Sequence, residues 1–220
     1  MEINGRSAPG GTNWHNDSVT RGKDLETRLE RLEEQLGVYQ RVSRLMVREL
    51  SLSDTLQAIS KLVQDFTQCD SCLVYLIDNE ELVLCSSNTP HAGQIGKVRL
   101  KLNEGLTGWV ARERKLLALS VEAYKDVRFK AFSELPEDSY EAFLSAPVIA
   151  RNRVVGVINV QHRQPHRHSG AEMELLNTIG EQVGCLLVLA RLSPTAIEEA
   201  NHVELVLSHG HIALRGVEEK

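Results

Sequence analysis

The sequence predicts an α+β domain, an α/β sandwich built on an antiparallel sheet of five to six strands. Two pairs of strand-like segments support this prediction: CLVYLID followed by ELVLCSS, and LSAPVIA followed by VVGVINVQH, each pair joined by a short polar turn. Apolar residues at helical spacing precede the first pair and follow the second. Each helical stretch begins with a capping pattern, Ser51 with Asp54 in the first and Ser169 with Glu172 in the second. The strands therefore lie between two helices in the chain.

Composition limits the classes of protein that the chain can represent. Its 220 residues include 25 basic and 30 acidic side chains, a formal net charge of -5, so a broad basic surface for nucleic acid is not expected. The longest apolar stretch, at residues 183–190, is far shorter than the roughly 20 residues of a membrane span. The first twenty residues lack the apolar core of a signal peptide. We therefore expect a cytoplasmic protein with no membrane partner.

The N-terminal region divides into two segments. Residues 1–22 are polar and rich in glycine, and we expect them to form a disordered leader. Residues 23–50 carry the alternating four- and three-residue spacing of a coiled coil, which predicts a signalling helix that pairs in a homodimer. The predicted dimerisation positions are Leu25, Leu29, Leu32, Leu36, Tyr39, Met46 and Leu50. The alternative is that the helix packs on its own domain, which is more attractive after Gly37, where Val42 and Leu45 widen the apolar stripe.

The remaining elements follow from local pattern. Residues 52–66 repeat apolar side chains at helical spacing, and KVRLKL and LLALS alternate as two further strands. Between these two strands, LTGWVARERK is predicted to form a short helix opened by Asn103, Glu104 and Gly105. Residues 121–142 have no regular pattern, and the closing helix ends before Pro194.

Four phrases of the sequence occur in the order CLVYLID, NEGLTGWV with ARERK, AFLSAPV, and RNRVVGVINVQH before a capped helix. Together they make residues 51–192 resemble a GAF domain, a module of the PAS-like superfamily. The resemblance implies that the first and last helices lie on one face of the sheet, while loops and short helices close a pocket over the other. It also implies a sensory module that binds a small molecule or partner and relays the change through dimeric flanking helices. The alternatives are a dimerisation scaffold that binds no ligand and, third, an enzyme.

Known GAF subtypes can be compared with this chain. The Asn-Lys pair of the cyclic-nucleotide type is absent from the sequence. Thr107 lies in the region where the free methionine sulfoxide reductase type needs a reactive cysteine, and residues 121–142 hold no cysteine for a bilin. We therefore expect a non-enzymatic domain whose cofactor, if any, is unknown. Cys69 and Cys72 are expected to be buried thiols rather than a metal or redox pair.

Candidate ligand contacts follow from strand alternation. Leu73, Tyr75 and Ile77 share one face of their strand, and the resemblance assigns that face to the ligand. Asn159 and Gln161 interrupt an apolar strand, and a buried amide needs hydrogen-bond partners, so both are candidate contacts. Ser145 is a third candidate on the same argument, and Trp109 is either a stacking platform for a ligand or, as the favoured interpretation, a core anchor. For each polar residue the alternative is a satisfied structural group or an exposed strand end.

Three histidines, His162, His166 and His168, cluster beside two arginines. The favoured interpretation is a basic, solvated turn with no metal, and a metal site on this loop stays an open alternative.

The last segment, residues 193–220, is predicted to be a helical linker with an apolar stripe at Val203, Leu207, Leu214 and Val217. This ending is similar to the helix that leads from a GAF domain into an ANTAR RNA-binding bundle in one bacterial family. The motif of that bundle is missing here, so RNA binding would belong to a separate output domain of a longer protein.

Overall fold

The computed structural model describes residues 14–48, 50–88, 92–130, 140–190, 203–208 and 211–216. It confirms the α+β class. The four helices are α1 (Trp14–Met46), α2 (Leu52–Thr67), α3 (Gly105–Glu113) and α4 (Gly170–Ala190). The strands are β1 (Ser71–Asp78), β2 (Glu81–Ser87), β3 (Arg99–Lys101), β4 (Leu117–Leu119), β5 (Ala142–Ala150), β6 (Arg153–His162), β7 (Val203–Ser208) and β8 (His211–Gly216). None of the described helices combines the length and the apolar character that a bilayer crossing requires.

Six strands form one antiparallel sheet in the order β3-β2-β1-β6-β5-β4. The two predicted hairpins are both present, β1 with β2 and β5 with β6. Their turn residues, Asn79 with Glu80 and Arg151 with Asn152, all have positive φ angles. Two successive residues of this kind give the tight turn whose twist matches a hairpin. The central strands β1 and β6 are neighbours, so residues distant in sequence face each other at the middle of the sheet.

One face of the sheet packs against α2, α4 and the C-terminal part of α1. Val74, Leu76 and Ile158 from the sheet are buried with Ile59 of α2 and Ile179 of α4. This arrangement confirms that helices flanking the sheet in sequence share one face. The opposite face packs against α3 and forms a second apolar cluster that includes Tyr75 and Val110.

The helix α4 lies directly on β5 because it carries glycines at the contact. A Cβ atom on Gly180 would lie 2.8 Å from the carbonyl oxygen of Pro147, and one on Gly184 would lie 2.1 Å from that of Ile149. Both distances are too short for a real Cβ contact. The close approach of helix and strand therefore depends on these two residues.

The chain forms two compact units, residues 1–37 and 38–220. In the first unit α1 begins at Trp14, so residues 14–22 are helical and their prediction as a disordered leader is wrong. A helix nucleated further along can extend through this segment because no proline interrupts it after Pro9. The leader prediction for residues 1–13 lies outside the described residues. The side chains at the first four heptad positions are all more than half exposed: Leu25, Leu29, Leu32 and Leu36.

In the second unit, the rest of α1 packs on the domain. Val38 and Val42 are fully buried in the core, and Tyr39, Leu45 and Met46 pack against it. Tyr39 and Met46 therefore contact their own domain, as the alternative interpretation expected, and their part in a dimer seam stays a prediction. The widened apolar stripe after Gly37 is the physical reason. Leu50 follows the end of α1 and remains exposed.

The C-terminal segment contains an antiparallel pair, β7 and β8, in which Ser208 lies opposite His211. The prediction of a helical linker is wrong for these residues. Val203, Leu205 and Leu207 recur every second residue, which is the period of a strand. The helical stripe omitted Leu205. Residues 193–202 and 217–220 lie outside the described residues.

Candidate functional site

The sheet register brings four of the predicted ligand residues together on the α3 side. In the antiparallel register Leu73 lies opposite Asn159, and Asn159 lies opposite Ser145. Directly opposed residues point their side chains to the same face. Tyr75 is two residues from Leu73 and shares that face, and all four residues are at most 2% exposed. These side chains therefore share one face of the sheet, and their contact with a ligand stays a prediction.

A chain of hydrogen bonds crosses this face. The Ser145 hydroxyl donates to Asn159 Oδ1 at 2.7 Å, and Asn159 Nδ2 donates to Thr107 Oγ1 at 2.8 Å. All three side chains are buried. Asn159 thus joins β5, β6 and α3, which corresponds to the alternative of a satisfied structural amide. No local pattern predicts this role for Thr107, because a threonine in a short helix does not reveal which strand residue it contacts.

Unsatisfied polar atoms lie one residue pair further along the same face. Ser71 lies opposite Gln161 in the β1–β6 register. Gln161 Oε1 and Ser71 Oγ are buried, and neither has a hydrogen-bond partner among the described residues. An orphaned buried polar group costs about 1–3 kcal/mol. This end of the face therefore offers a carbonyl acceptor and a hydroxyl to a ligand. Ser71 was missed because a serine that begins a strand is unremarkable in sequence.

Trp109 lies elsewhere on α3. It is two residues from Thr107, which places it about 200° around the helix, away from the polar chain. The Arg128 guanidinium lies 4.6 Å from the centre of its ring. Arg128 is held in turn by Asp126, through hydrogen bonds of 2.8 and 2.7 Å. Trp109 is partly buried against the apolar cluster on the α3 side, as a core anchor would be, and it lies on the side of α3 away from Thr107.

The thiols belong to the other side of the sheet. Cys69 and Cys72 are buried in the cluster beneath α2 and α4, as expected for structural cysteines. Burial raises the pKa of Cys69 to about 11 and that of Cys85 to about 12. These thiols stay protonated near neutral pH and are poor nucleophiles. Cys185 is exposed on α4.

A second cluster of polar side chains, which we call the histidine cluster, consists of His162, His166, His168 and Glu172. One ring nitrogen or carboxylate oxygen from each residue lies within 4.8 Å of all the others. The rings of His162 and His166 stack with centroids 3.9 Å apart, and His166 Nε2 lies 2.8 Å from Glu172 Oε1. His162 and His168 are less than a tenth exposed. The interpretation as a solvated turn is therefore wrong for these two residues.

Burial determines the charges in the histidine cluster. Burial, together with the smaller effect of the neighbouring imidazoles of His166 and His168, lowers the pKa of His162 to about 4. Burial also lowers the pKa of His168. For Glu172 burial opposes ionisation, but hydrogen bonds from Ser169 and His166 outweigh it and hold the pKa below its ordinary value. The buried imidazoles are therefore neutral near pH 7, and they face an ionised carboxylate.

The chain therefore forms a small α+β domain. Its antiparallel sheet has helices on one face and a short helix over the other, with buried polar side chains between the sheet and the short helix. Residues 51–187 match the family model of the GAF domain, and this match covers more than half of the chain. The chain belongs to the GAF domain family, which is a sensory and regulatory module type.

Three known proteins are similar to the chain in sequence or in fold. It is 27% identical over 142 residues to the phosphoenolpyruvate-dependent phosphotransferase system protein of Escherichia coli (strain K12), covering 62% of this chain but only 19% of that protein. It is 29% identical to the crystal structure of the GAF domain from an Acinetobacter phosphoenolpyruvate-protein phosphotransferase, with a TM-score of 0.66 and coverage of 72% and 95%. It also shares its fold with the free methionine-R-sulfoxide reductase of Neisseria meningitidis in complex with its substrate, at 12% identity, a TM-score of 0.62 and coverage of 72% and 90%.

Proposed function

We propose that this chain is a sensory module that binds a small polar molecule on the α3 side of its sheet and passes the change to an output partner through α1. One observation supports the binding site above all. Gln161 Oε1 and Ser71 Oγ are buried side by side on that face without partners among the described residues. Native proteins rarely leave such groups unpaired, and a ligand is one way to pair them.

The chemistry of this site defines the class of ligand. Gln161 Oε1 can only accept a hydrogen bond, so the ligand must present an N–H or O–H donor there. The Ser71 hydroxyl can donate to or accept from the same molecule. Leu73 and Phe143, on the same face and buried, border the pair with apolar surface. A small molecule with an amino, amide or hydroxyl group and a short apolar part fits this set.

The relay follows from the strands that carry the site. β1 and β6 present Ser71 and Gln161 on one face, while Val74 and Ile158 on the other belong to the same core as Val38 and Val42 of α1. A shift of these strands therefore reaches α1 through close-packed side chains. Such a signal requires that the ligand bind two arrangements of the domain with different affinity.

The part of α1 that lies in the first unit is proposed to pair with a second copy of the chain as a parallel coiled coil. Leu25, Leu29, Leu32 and Leu36 are each between 54% and 61% exposed at heptad spacing. The double variant Leu29→Asp, Leu36→Asp should convert the dimer to a monomer in light scattering. The matched control is Thr27→Asp, Glu34→Asp, which has the same seven-residue spacing off the seam and should leave the mass unchanged. A mass that is the same for all three proteins would reject the coiled coil.

The output partner is proposed from similarity alone. Both the Escherichia coli relative and the Acinetobacter domain belong by name to phosphoenolpyruvate-dependent phosphotransferase proteins. Since the chain spans 19% of the first of these, a role in phosphotransferase regulation is a proposal for a larger assembly. The similarity to an ANTAR linker depended on a helix in the last segment, but that segment contains the strands β7 and β8. A cytoplasmic location is part of the same proposal.

The proposed role is regulatory rather than catalytic. Thr107 occupies the position expected for a reactive cysteine, and its hydroxyl oxygen is engaged by Asn159. The thiols of Cys69 and Cys72 lie on the opposite face of the sheet. A second candidate function is a dimerisation scaffold that binds no ligand, which is favoured by the internal pairing of Ser145, Asn159 and Thr107.

A thermal-shift screen separates the two functions. The full chain is heated with amino acids, 2-oxo acids, nucleotides and haem, and the sensor predicts a saturable rise in melting temperature with at least one of them. Gln161→Met should abolish that rise without destabilising the free protein, because it removes an unpaired acceptor. Ser60→Ala, a buried polar change on the α2 side, should retain it. Silence across the whole panel favours the scaffold.

A further inference from the structure

We propose that His162, His166, His168 and Glu172 form a binding site for a divalent transition metal of the zinc class, separate from the sensory site on the α3 side. Three imidazoles and one carboxylate make a complete four-coordinate set for Zn²⁺. Magnesium and calcium prefer sites made of oxygen ligands, so the donor set excludes them as the natural occupant.

The positions of the four groups suit such an ion. All four ligand atoms lie within 4.8 Å of one another. In a tetrahedral zinc site with bonds of about 2.1 Å, ligand atoms lie about 3.4 Å apart. Small side-chain rotations therefore bring the four atoms to coordination distance. His166 Nε2 and Glu172 Oε1 are already 2.8 Å apart and would turn from each other to the ion.

The free hydrogen-bonding capacity of the cluster is the second observation. His162 Nε2 and both ring nitrogens of His168 are buried and have no hydrogen-bond partner among the described residues. His162 is 6% exposed and His168 is 7% exposed. An imidazole nitrogen with a free lone pair in a buried position is the form in which histidine binds a metal. One nitrogen of each ring would bind the metal ion, while the second nitrogen of His168 would keep its proton.

The surrounding structure holds the ligands in place. His162 ends β6, and Glu172 lies in the first turn of α4, where its Oε2 accepts a hydrogen bond from the Ser169 backbone at 2.6 Å. The loop between them is fixed by a hydrogen bond from the His166 backbone N–H to the Ser120 carbonyl oxygen at 2.9 Å.

Two features of the cluster agree with the entry of a cation. Arg163 directs its guanidinium toward the ring of Tyr140, at 5.9 Å, and Arg167 is exposed. The side chain of His166 is one third exposed, so the cluster has one side open to solvent. Both arginines are exposed, so solvent and salt weaken their repulsion of a cation, and an ion can approach past His166.

The test is metal binding by the full chain without an affinity tag. Titration with Zn²⁺ in competition with a chromophoric chelator should give one ion per chain. Co²⁺ should produce the intense visible absorption of a four-coordinate site. His168→Gln should weaken Zn²⁺ binding by more than the roughly 10–100-fold that loss of an outer-shell contact costs. The control variant His209→Gln, His211→Gln should bind as the wild type does.

A second variant separates loss of metal binding from loss of the fold. Glu172→Gln keeps a side chain that can complete the helix cap but removes the anionic ligand, so it should fold and still lose affinity. Far-UV circular dichroism and the unfolding midpoint report the fold of each variant. The proposal is overturned if the wild type binds no Zn²⁺ stoichiometrically. It is also overturned if His168→Gln and Glu172→Gln bind normally, or if binding is lost in the control alone.

Discussion

Replacing Asn159 by leucine tests whether the hydrogen-bonded chain on the α3 side supports the domain. Leucine has the same number and branching of side-chain heavy atoms as asparagine but makes no hydrogen bond. The change removes the bonds to Ser145 and Thr107 and leaves two buried hydroxyls without that partner. Each orphaned group costs about 1–3 kcal/mol, although a hydroxyl can rotate toward a nearby carbonyl. We therefore expect a loss of about 3 kcal/mol in the free energy of unfolding.

The informative comparison is the triple variant Ser145→Ala, Asn159→Leu, Thr107→Val. Replacing all members of a hydrogen-bonded set by apolar groups of similar shape is nearly neutral. The triple variant should therefore recover at least half of the stability lost in Asn159→Leu. Both proteins are unfolded in urea and followed by circular dichroism, and the midpoints are compared at constant slope. A loss below about 1 kcal/mol for Asn159→Leu, or a triple variant no more stable than the single one, would refute this account of the polar chain.

Two further predictions concern packing and thiols. Gly37→Ala should raise the free energy of unfolding by about 0.5–1 kcal/mol, since Gly37 lies inside α1 and an added Cβ meets nothing within 4 Å. Gly184→Ala should lower it by about 3 kcal/mol, because the new Cβ would lie 2.1 Å from the Ile149 carbonyl oxygen; equal urea midpoints for the two variants would contradict the close approach of α4 to β5. In native protein a thiol reagent should label exposed Cys185 rapidly and buried Cys72 only on unfolding, and rapid labelling of Cys72, measured by peptide mass spectrometry, would contradict its burial.

Strand alternation carried most of the information that the sequence provided. It placed Leu73, Tyr75 and Asn159 on one face because side chains of a strand alternate regardless of what packs on them. It did not identify Thr107 as the partner of Asn159. That contact depends on where α3 lies over the sheet, which is a property of the tertiary structure.

The histidine cluster shows a different limit. The spacing of His162, His166 and His168 is visible in the sequence, but the two arginines beside them favour a solvated turn. The burial arises from a backbone contact to Ser120 and from the cap that fixes Glu172 at the start of α4. The cap has a local sequence signal in the pattern of Ser169 with Glu172, but the contact to Ser120 has none.

The ends of the chain were predicted least well. Residues 14–22 were predicted to be disordered from their polarity, although a continuous helix needs only compatible backbone once it has nucleated. The helix prediction for the last segment depended on four apolar positions spread over residues 203–217, while the apolar residues of 203–208 taken together favour a strand. Short amphipathic segments satisfy both periods when only some positions are counted.

The central claim is that a small polar ligand binds at Gln161 on the α3 side. Its most direct test is the side-chain amide resonance of Gln161 in the isotope-labelled protein, assigned by its disappearance in Gln161→Met. We predict that this resonance moves saturably when the best hit of the thermal-shift screen is added, in parallel with the rise in melting temperature. A ligand that raises the melting temperature while leaving the Gln161 resonance unchanged would contradict the claim.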